Sequence, residues 1–221
     1  IYVHDEHGVF LDVNAGATRL YGYTREELIG MTPALVSAPG LNDLPAVGAQ
    51  SARVFATGRA ESFEFWGLRK NGEVFPKACI THKGKYFGRD VLITTARDVT
   101  AVKQAEAELR KLARAVEQSP VTVVITNTTG VIEYANPQFT KTSGYTIEEV
   151  KGLTPRVLKS GRQPDSVYRE MWETIARGRE WHGELCNRRK DGSFFWEEVS
   201  ISPVVDEQGR ITHYLAVKED I

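Results

Sequence analysis

Apolar and polar positions alternate over three late stretches of the chain, 181–189, 193–203 and 211–218, and this period of two predicts three strands. Lys190-Asp191-Gly192 is a hairpin turn between the first two, and residues 206–209 form a longer loop before the third. Upstream, a β-branched run over 121–126 meets the turn Thr128-Thr129-Gly130, and a second short run covers 131–135. Between these strand groups the period changes to helical. Asn136 is placed to cap a helix with Pro137 at its first position. Thr146 caps another, with Glu149 three residues on as a capping box. Residues 165–178 predict a longer helix with Val167, Met171, Trp172 and Ile175 on its apolar side. Two strands, short helices and three more strands make an α+β unit: an antiparallel sheet with helices on one face.

The same order occurs twice. Residues 5–33 lie over 127–155 at a constant shift of 122: Gly8 on Gly130, Asn14 on Asn136, Gly22-Tyr23-Thr24 on Gly144-Tyr145-Thr146, and Pro33 on Pro155. Arg69-Lys70-Asn71-Gly72 lies over Arg189-Lys190-Asp191-Gly192 at a shift of 120, and Asp98-Val99 over Asp220-Ile221 at 122. The chain is a duplication, with one copy over 1–99 and the other over 120–221.

The joint, 100–119, carries Val102, Ala105, Leu109, Leu112 and Val116 at alternating steps of three and four, with charges elsewhere. This narrow stripe predicts an amphipathic helix with two open outcomes: a two-stranded coiled coil, or a helix folded back on a domain.

Charge and chemistry narrow the function. With 28 basic and 29 acidic residues, the 221-residue chain has no electrostatic footprint for nucleic acid. No apolar run approaches the roughly 18 residues of a membrane span, so no membrane contact is expected. Cys79 and Cys186 have no metal-ligand spacing and fit a reducing compartment, so the expected location is cytoplasmic. The chain opens at Ile1, within a strand, which reads as a piece of a longer protein whose first copy is truncated at its N-terminus. Phosphate loops, dinucleotide fingerprints and nucleophile elbows are absent, and His4, His7, His82, His182 and His213 are scattered. The adjacent acids Glu197 and Glu198 point to opposite sheet faces and make a poor acid–base pair. No catalytic or metal residue is expected in this chain.

The combination N-P-x-F (136–139), G-Y-T-x-E-E-x-x-G (144–152), W-x-G-E-L (181–185), N-R-R-K-D-G (187–192), S-x-S-P (200–203) and the terminal E-D-I resembles a bacterial PAS domain with its PAC extension. The likeness holds once per copy and is fuller in the second. It implies two PAS domains, each a five-stranded antiparallel sheet with short helices on one face, joined by a signalling helix. It further implies a small ligand or cofactor between helices and sheet, a homodimer, and a parent protein of the sensor histidine kinase type. Asp98 and Asp220 resemble the acidic residue that ties the last strand to the outgoing helix.

The same resemblance addresses cofactors. LOV photochemistry uses a cysteine in the helix after the second strand, whereas Cys79 and Cys186 fall in late strands. Heme PAS domains use a histidine from the long helix, and neither 41–58 nor 165–178 contains one. Both chemistries are disfavoured. The second copy resembles FAD-binding PAS domains of redox sensors, which implies Asn187, Glu197 and Lys218 at the ring edge, Val199 and Ile201 beneath the ring, and Trp181 on the same face. Glu197 departs from that pattern: a buried carboxylate is costly unless paired, and Lys218 is the expected partner, which makes the pocket polar and smaller. A plainer reading takes Trp181 as sheet packing and Asn187 as a satisfied strand amide. In the first copy Glu61, Gly67, Lys77 and Ala96 stand at the positions of Trp181, Asn187, Glu197 and Lys218, so the flavin marks are missing. Three functions remain open: a ligand-biased sensory input region, a flavin redox sensor, and a ligand-free dimerisation module.

Overall fold

The computed structural model describes residues 1–221. It divides into two units, Ile1–Glu108 and Leu109–Ile221. The first contains β1 (Tyr2–His4), β2 (Phe10–Val13), α1 (Ala15–Tyr21), α2 (Arg25–Leu28), a 3-10 turn at Pro33–Val36, α3 (Leu44–Thr57), β3 (Glu61–Leu68), β4 (Val74–Tyr86) and β5 (Arg89–Asp98). Helix α4 (Thr100–Glu117) follows. The second unit repeats the order with β6 (Thr122–Asn127), β7 (Ile132–Ala135), α5 (Pro137–Ser143), α6 (Ile147–Val150), a 3-10 turn at Pro155–Leu158, α7 (Asp165–Ala176), β8 (Trp181–Arg188), β9 (Phe194–Val205) and β10 (Ile211–Asp220). Each forms one antiparallel five-stranded sheet, in the order β2-β1-β5-β4-β3 and β7-β6-β10-β9-β8. The strands from the two ends of each repeat meet in the middle, which ties the unit into one cooperative sheet.

Local chemistry explains most boundaries. Thr24 and Thr146 both close full capping boxes, with Glu27 and Glu149 returning to the cap backbone. Helix α5 stops at Gly144, whose φ of +78° is open to glycine at low cost and lets its N–H bond Thr140. Helix α7 turns Met171 and Ile175 into the core, with Val167 and Trp172 packed against it. Phe139, Val150, Leu158, Val199 and Tyr214 complete this core between helices and sheet.

One expectation is corrected. Asn136 precedes α5, as the sequence predicts, but its side chain makes no capping bond. Its amide instead donates to the carbonyls of Val116 and Val121 and accepts from the Val123 N–H. The matching Asn14 does cap its helix, accepting from Ala17. Asn136 is thus the clamp that holds the end of α4 to the first strand of its unit. A helix was legible here; the competing backbone partners were not.

Helix α4 leaves its apolar stripe outside the domain cores. None of its residues is buried, and Leu109 and Leu112 stand 68% and 55% exposed. The helix is not folded back into a domain core.

Candidate ligand sites on the inner sheet faces

In the second unit the strand register assembles the predicted residues. Trp181 lies opposite Ile201, Gly183 opposite Val199, Leu185 opposite Glu197, and Asn187 opposite Phe195. On the other side of β9, Val199 pairs with Lys218 and Ile201 with Ala216. Because side chains alternate between faces, Trp181, Asn187, Glu197, Val199, Ile201 and Lys218 all turn toward the helices, and all six are buried. Glu198, next to Glu197, is exposed on the opposite face.

At the centre of this face the Glu197 carboxylate accepts the Lys218 ammonium at 3.1 Å and the Asn187 amide at 2.6 Å. Glu197 is 2% exposed, so these bonds replace the water it would otherwise hold. Trp181 occupies the adjoining area. Its indole lies across Gly183, where a Cβ would come within 2.6 Å of the ring. Only glycine leaves space for that approach.

The first unit solves the same position differently. Lys77, opposite Phe65 on β4, is almost fully buried, and no carboxylate stands within ion-pairing distance. Its ammonium donates to the Tyr21 hydroxyl and faces the rings of Phe65 at 4.5 Å, Tyr21 at 4.6 Å and Tyr2 at 5.9 Å. Burial lowers its pKa to about 8. Burial also raises the neighbouring Cys79 thiol and the Tyr2 and Tyr21 phenols above their ordinary values. Gly67, at the position of Asn187, lies beneath the Phe75 ring.

The sheet of the first unit connects to the helix that follows it. Arg69 donates to the carbonyl of Leu20 and binds Asp98 at 2.5 Å. Asp98 in turn accepts the Thr100 N–H, at 2.8 Å, on its other oxygen. One carboxylate therefore joins a helix end, a hairpin and the first turn of α4. Arg189, Thr142 and Asp220 repeat the first two of these links.

Sequence reasoning missed a second pair of residues. Asn42 bonds both the N–H and the C=O of Trp66, and Gln163 bonds the C=O of Glu184 and the N–H of Cys186. Each side-chain amide acts as a short strand that covers the open edge of its sheet. Occurrence of a primary amide at nearly equivalent places in both copies was the available signal.

A flavin is the cofactor that the resemblance implies for the second unit. Asn187 and Lys218 supply donors and Glu197 an acceptor, which suits the mixed donor–acceptor edge of a flavin pyrimidine. In this arrangement those groups bond one another and Trp181 covers the adjoining floor, so a ring must displace the indole and exchange those bonds. Cys79 and Cys186 lie on β4 and β8.

Comparison with known proteins places this architecture. Over 106 residues the chain is 39% identical to the nitrogen fixation regulatory protein of Klebsiella oxytoca, covering 48% of this chain and 21% of that protein. It is 32% identical over 110 residues to the blue-light-activated histidine kinase of Brucella canis, covering 48% of this chain and 22% of that protein. Among solved structures, an RNA-binding light-oxygen-voltage receptor aligns over 99% of this chain and 94% of its own length, with 18% identity and a TM-score of 0.49. The chain spans about a fifth of the length of these curated relatives. Phototropin-1A of Oryza sativa, 30% identical over 126 residues and covering 57% of this chain and 14% of that protein, also matches. With it and a blue-light-activated histidine kinase among the relatives, the comparisons do not support the expectation that sets light-oxygen-voltage chemistry aside. A family model for the PAS domain matches residues 1–101 and again 120–221, and the chain belongs to the PAS domain family, which it carries in tandem.

Proposed function

We propose that the chain is the cytoplasmic sensory input region of a bacterial signal-transduction protein. A small ligand held between helices and sheet biases the packing of α4 and relays a conformational change to an output domain of the histidine kinase type. The reading rests on Asp98, which fastens the inner sheet, through Arg69, to the first turn of α4. A change in how the sheet and its helices close on a ligand reaches the helix through that carboxylate. Similarity to a nitrogen fixation regulator and to a histidine kinase supports the same role. Catalysis belongs to the output domain, not to this chain.

The relay works through a homodimer. Val102, Ala105, Leu109, Leu112 and Val116 follow the a/d spacing of a two-stranded coil, and charges of both signs flank them. Substituting Leu109→Asp together with Leu112→Asp is expected to convert a dimer to a monomer in light scattering, without loss of folded signal by circular dichroism. An unchanged mass for the variant counts against this interface.

A flavin in the second unit is the second reading, favoured by the convergence of Asn187, Glu197 and Lys218 on one buried face. The purified chain is then expected to retain or take up FAD, with the visible absorption of an oxidised flavin, and Asn187→Ala to lose it. Protein that stays colourless after incubation with FAD removes this reading and leaves the first intact.

A further inference from the structure

The first unit contains a buried cation with no internal counter-charge. Position 77 corresponds to Glu197 of the second unit, where Lys218 and Asn187 satisfy the charge from within. Ala96 and Gly67 occupy the places of those partners in the first unit, so the sheet supplies Lys77 with neither a carboxylate nor an amide. The ammonium carries three donors and reaches a single acceptor, the Tyr21 hydroxyl. Its remaining surroundings are the faces of Phe65, Tyr2 and Tyr21. Aromatic faces stabilise a cation only in part, and a charge removed from water calls for an anion.

A cavity adjoins it. Lys77, Tyr2 and Phe65 form one wall of a space of about 30 Å³ that lies between α3 and the sheet. His4, Thr81 and Thr94 form another, linked by hydrogen bonds of 3.0 Å from His4 to Thr94 and 2.8 Å between the two threonines. A single water needs roughly 10–15 Å³ on this measure. The space therefore suits a carboxylate group and little more, with a polar wall for one further oxygen.

We propose that the first PAS domain binds a small monocarboxylate, with its carboxylate on Lys77 and any 2-oxo or 2-hydroxyl oxygen toward the His4–Thr94–Thr81 wall. The proposal gives a ligand class to the sensory reading and rests on it for its purpose. Its structural basis is separate: an ion pair that the second unit builds internally is completed here by a ligand. At neutral pH the lysine is still mostly protonated, given a pKa of about 8, so the charge the ligand meets is present when needed.

The test uses the whole 221-residue chain with sodium acetate and sodium pyruvate, set against acetamide as the uncharged isostere and sodium chloride as the inorganic anion. Either carboxylate is expected to raise the melting temperature saturably, by about 5 °C at tenfold its Kd. Acetamide should leave it unchanged, and Lys77→Met should abolish the carboxylate effect. In the wild-type chain, carbon–proton spectra of the lysine side chains should show one buried resonance moving with acetate, which needs no variant. Equal response to acetamide, retention of the effect in Lys77→Met, or an equal and saturable response to chloride overturns the assignment. So does the absence of any saturable response. Spin labels along α4 separate this outcome from the sensory reading: carboxylate binding that leaves inter-label distances unchanged sustains the site and removes the relay.

Discussion

Replacing Glu197 with alanine is expected to destabilise the second PAS domain by about 3–5 kcal/mol. The variant leaves the Lys218 ammonium, 6% exposed, without its carboxylate, and deprives the Asn187 amide of its acceptor. The cost comes from an uncompensated buried charge rather than from the attraction lost between two ions. That distinction makes a control possible. Glu197→Leu combined with Lys218→Met removes both charges while keeping similar volume, and should fall within about 1–2 kcal/mol of the wild type or exceed it in stability. Hydrogen exchange of peptides from β8, β9 and β10 reports this unit separately from the first. A single variant within about 0.5 kcal/mol of wild type means that the pair carries none of the electrostatic role assigned to it. A double variant as damaged as the single one assigns the cost to packing.

The pairing behind that expectation was readable because three strands with period two fix which residues share a face. Alternation put Asn187 with Trp181 and Glu197 with Val199 on one face of their strands. The family resemblance brought these and Lys218 to a common inner face, and the structure places Asn187, Glu197 and Lys218 within hydrogen-bond distance. The duplication also made the fold legible, since two copies of one element order remove most ambiguity about boundaries. Hydrogen bonds that depend on the tertiary arrangement were not legible. Asn136 looks like a helix cap from its neighbours, yet its amide is drawn to the carbonyls at Val116 and Val121, which only the folded entry of α4 brings close. Asn42 and Gln163 lie in irregular segments with no periodicity, and their role as edge strands depends on the loop's path along β3 and β8. Lys77 was visible as a departure from the second copy, but its aromatic surroundings come from β1, α1 and β3, which are distant in sequence.

The two domains thus place opposite charges at one structural position and stabilise them by different means. The second closes the charge within itself and covers the rest of the face with Trp181. The first leaves its cation beside a small polar space. Within the tandem, that difference favours the first domain as the binder of a small ion, and it makes ligand entry into the second depend on moving the indole.

Truncating that indole, Trp181→Ala, is expected to cost the second domain about 3–5 kcal/mol. Trp181 is 6% exposed and belongs to the core that also contains Leu185, Val199 and Ile201. Its removal takes a large apolar area out of contact and leaves a hole beside Gly183 that a rigid sheet cannot close. Gly183→Ala probes the same contact from below: its Cβ would lie 2.6 Å from the ring, so the indole must lift, at a cost of about 1–3 kcal/mol. The two effects share one contact and should not add, since alanine at 183 meets no ring once Trp181 is gone. In the double variant the Gly183→Ala penalty should fall to within a few tenths of a kcal/mol, read by hydrogen exchange in β8. Strict additivity shows that the indole does not lie across Gly183, and the inner face is then open to a flat ligand without any displacement.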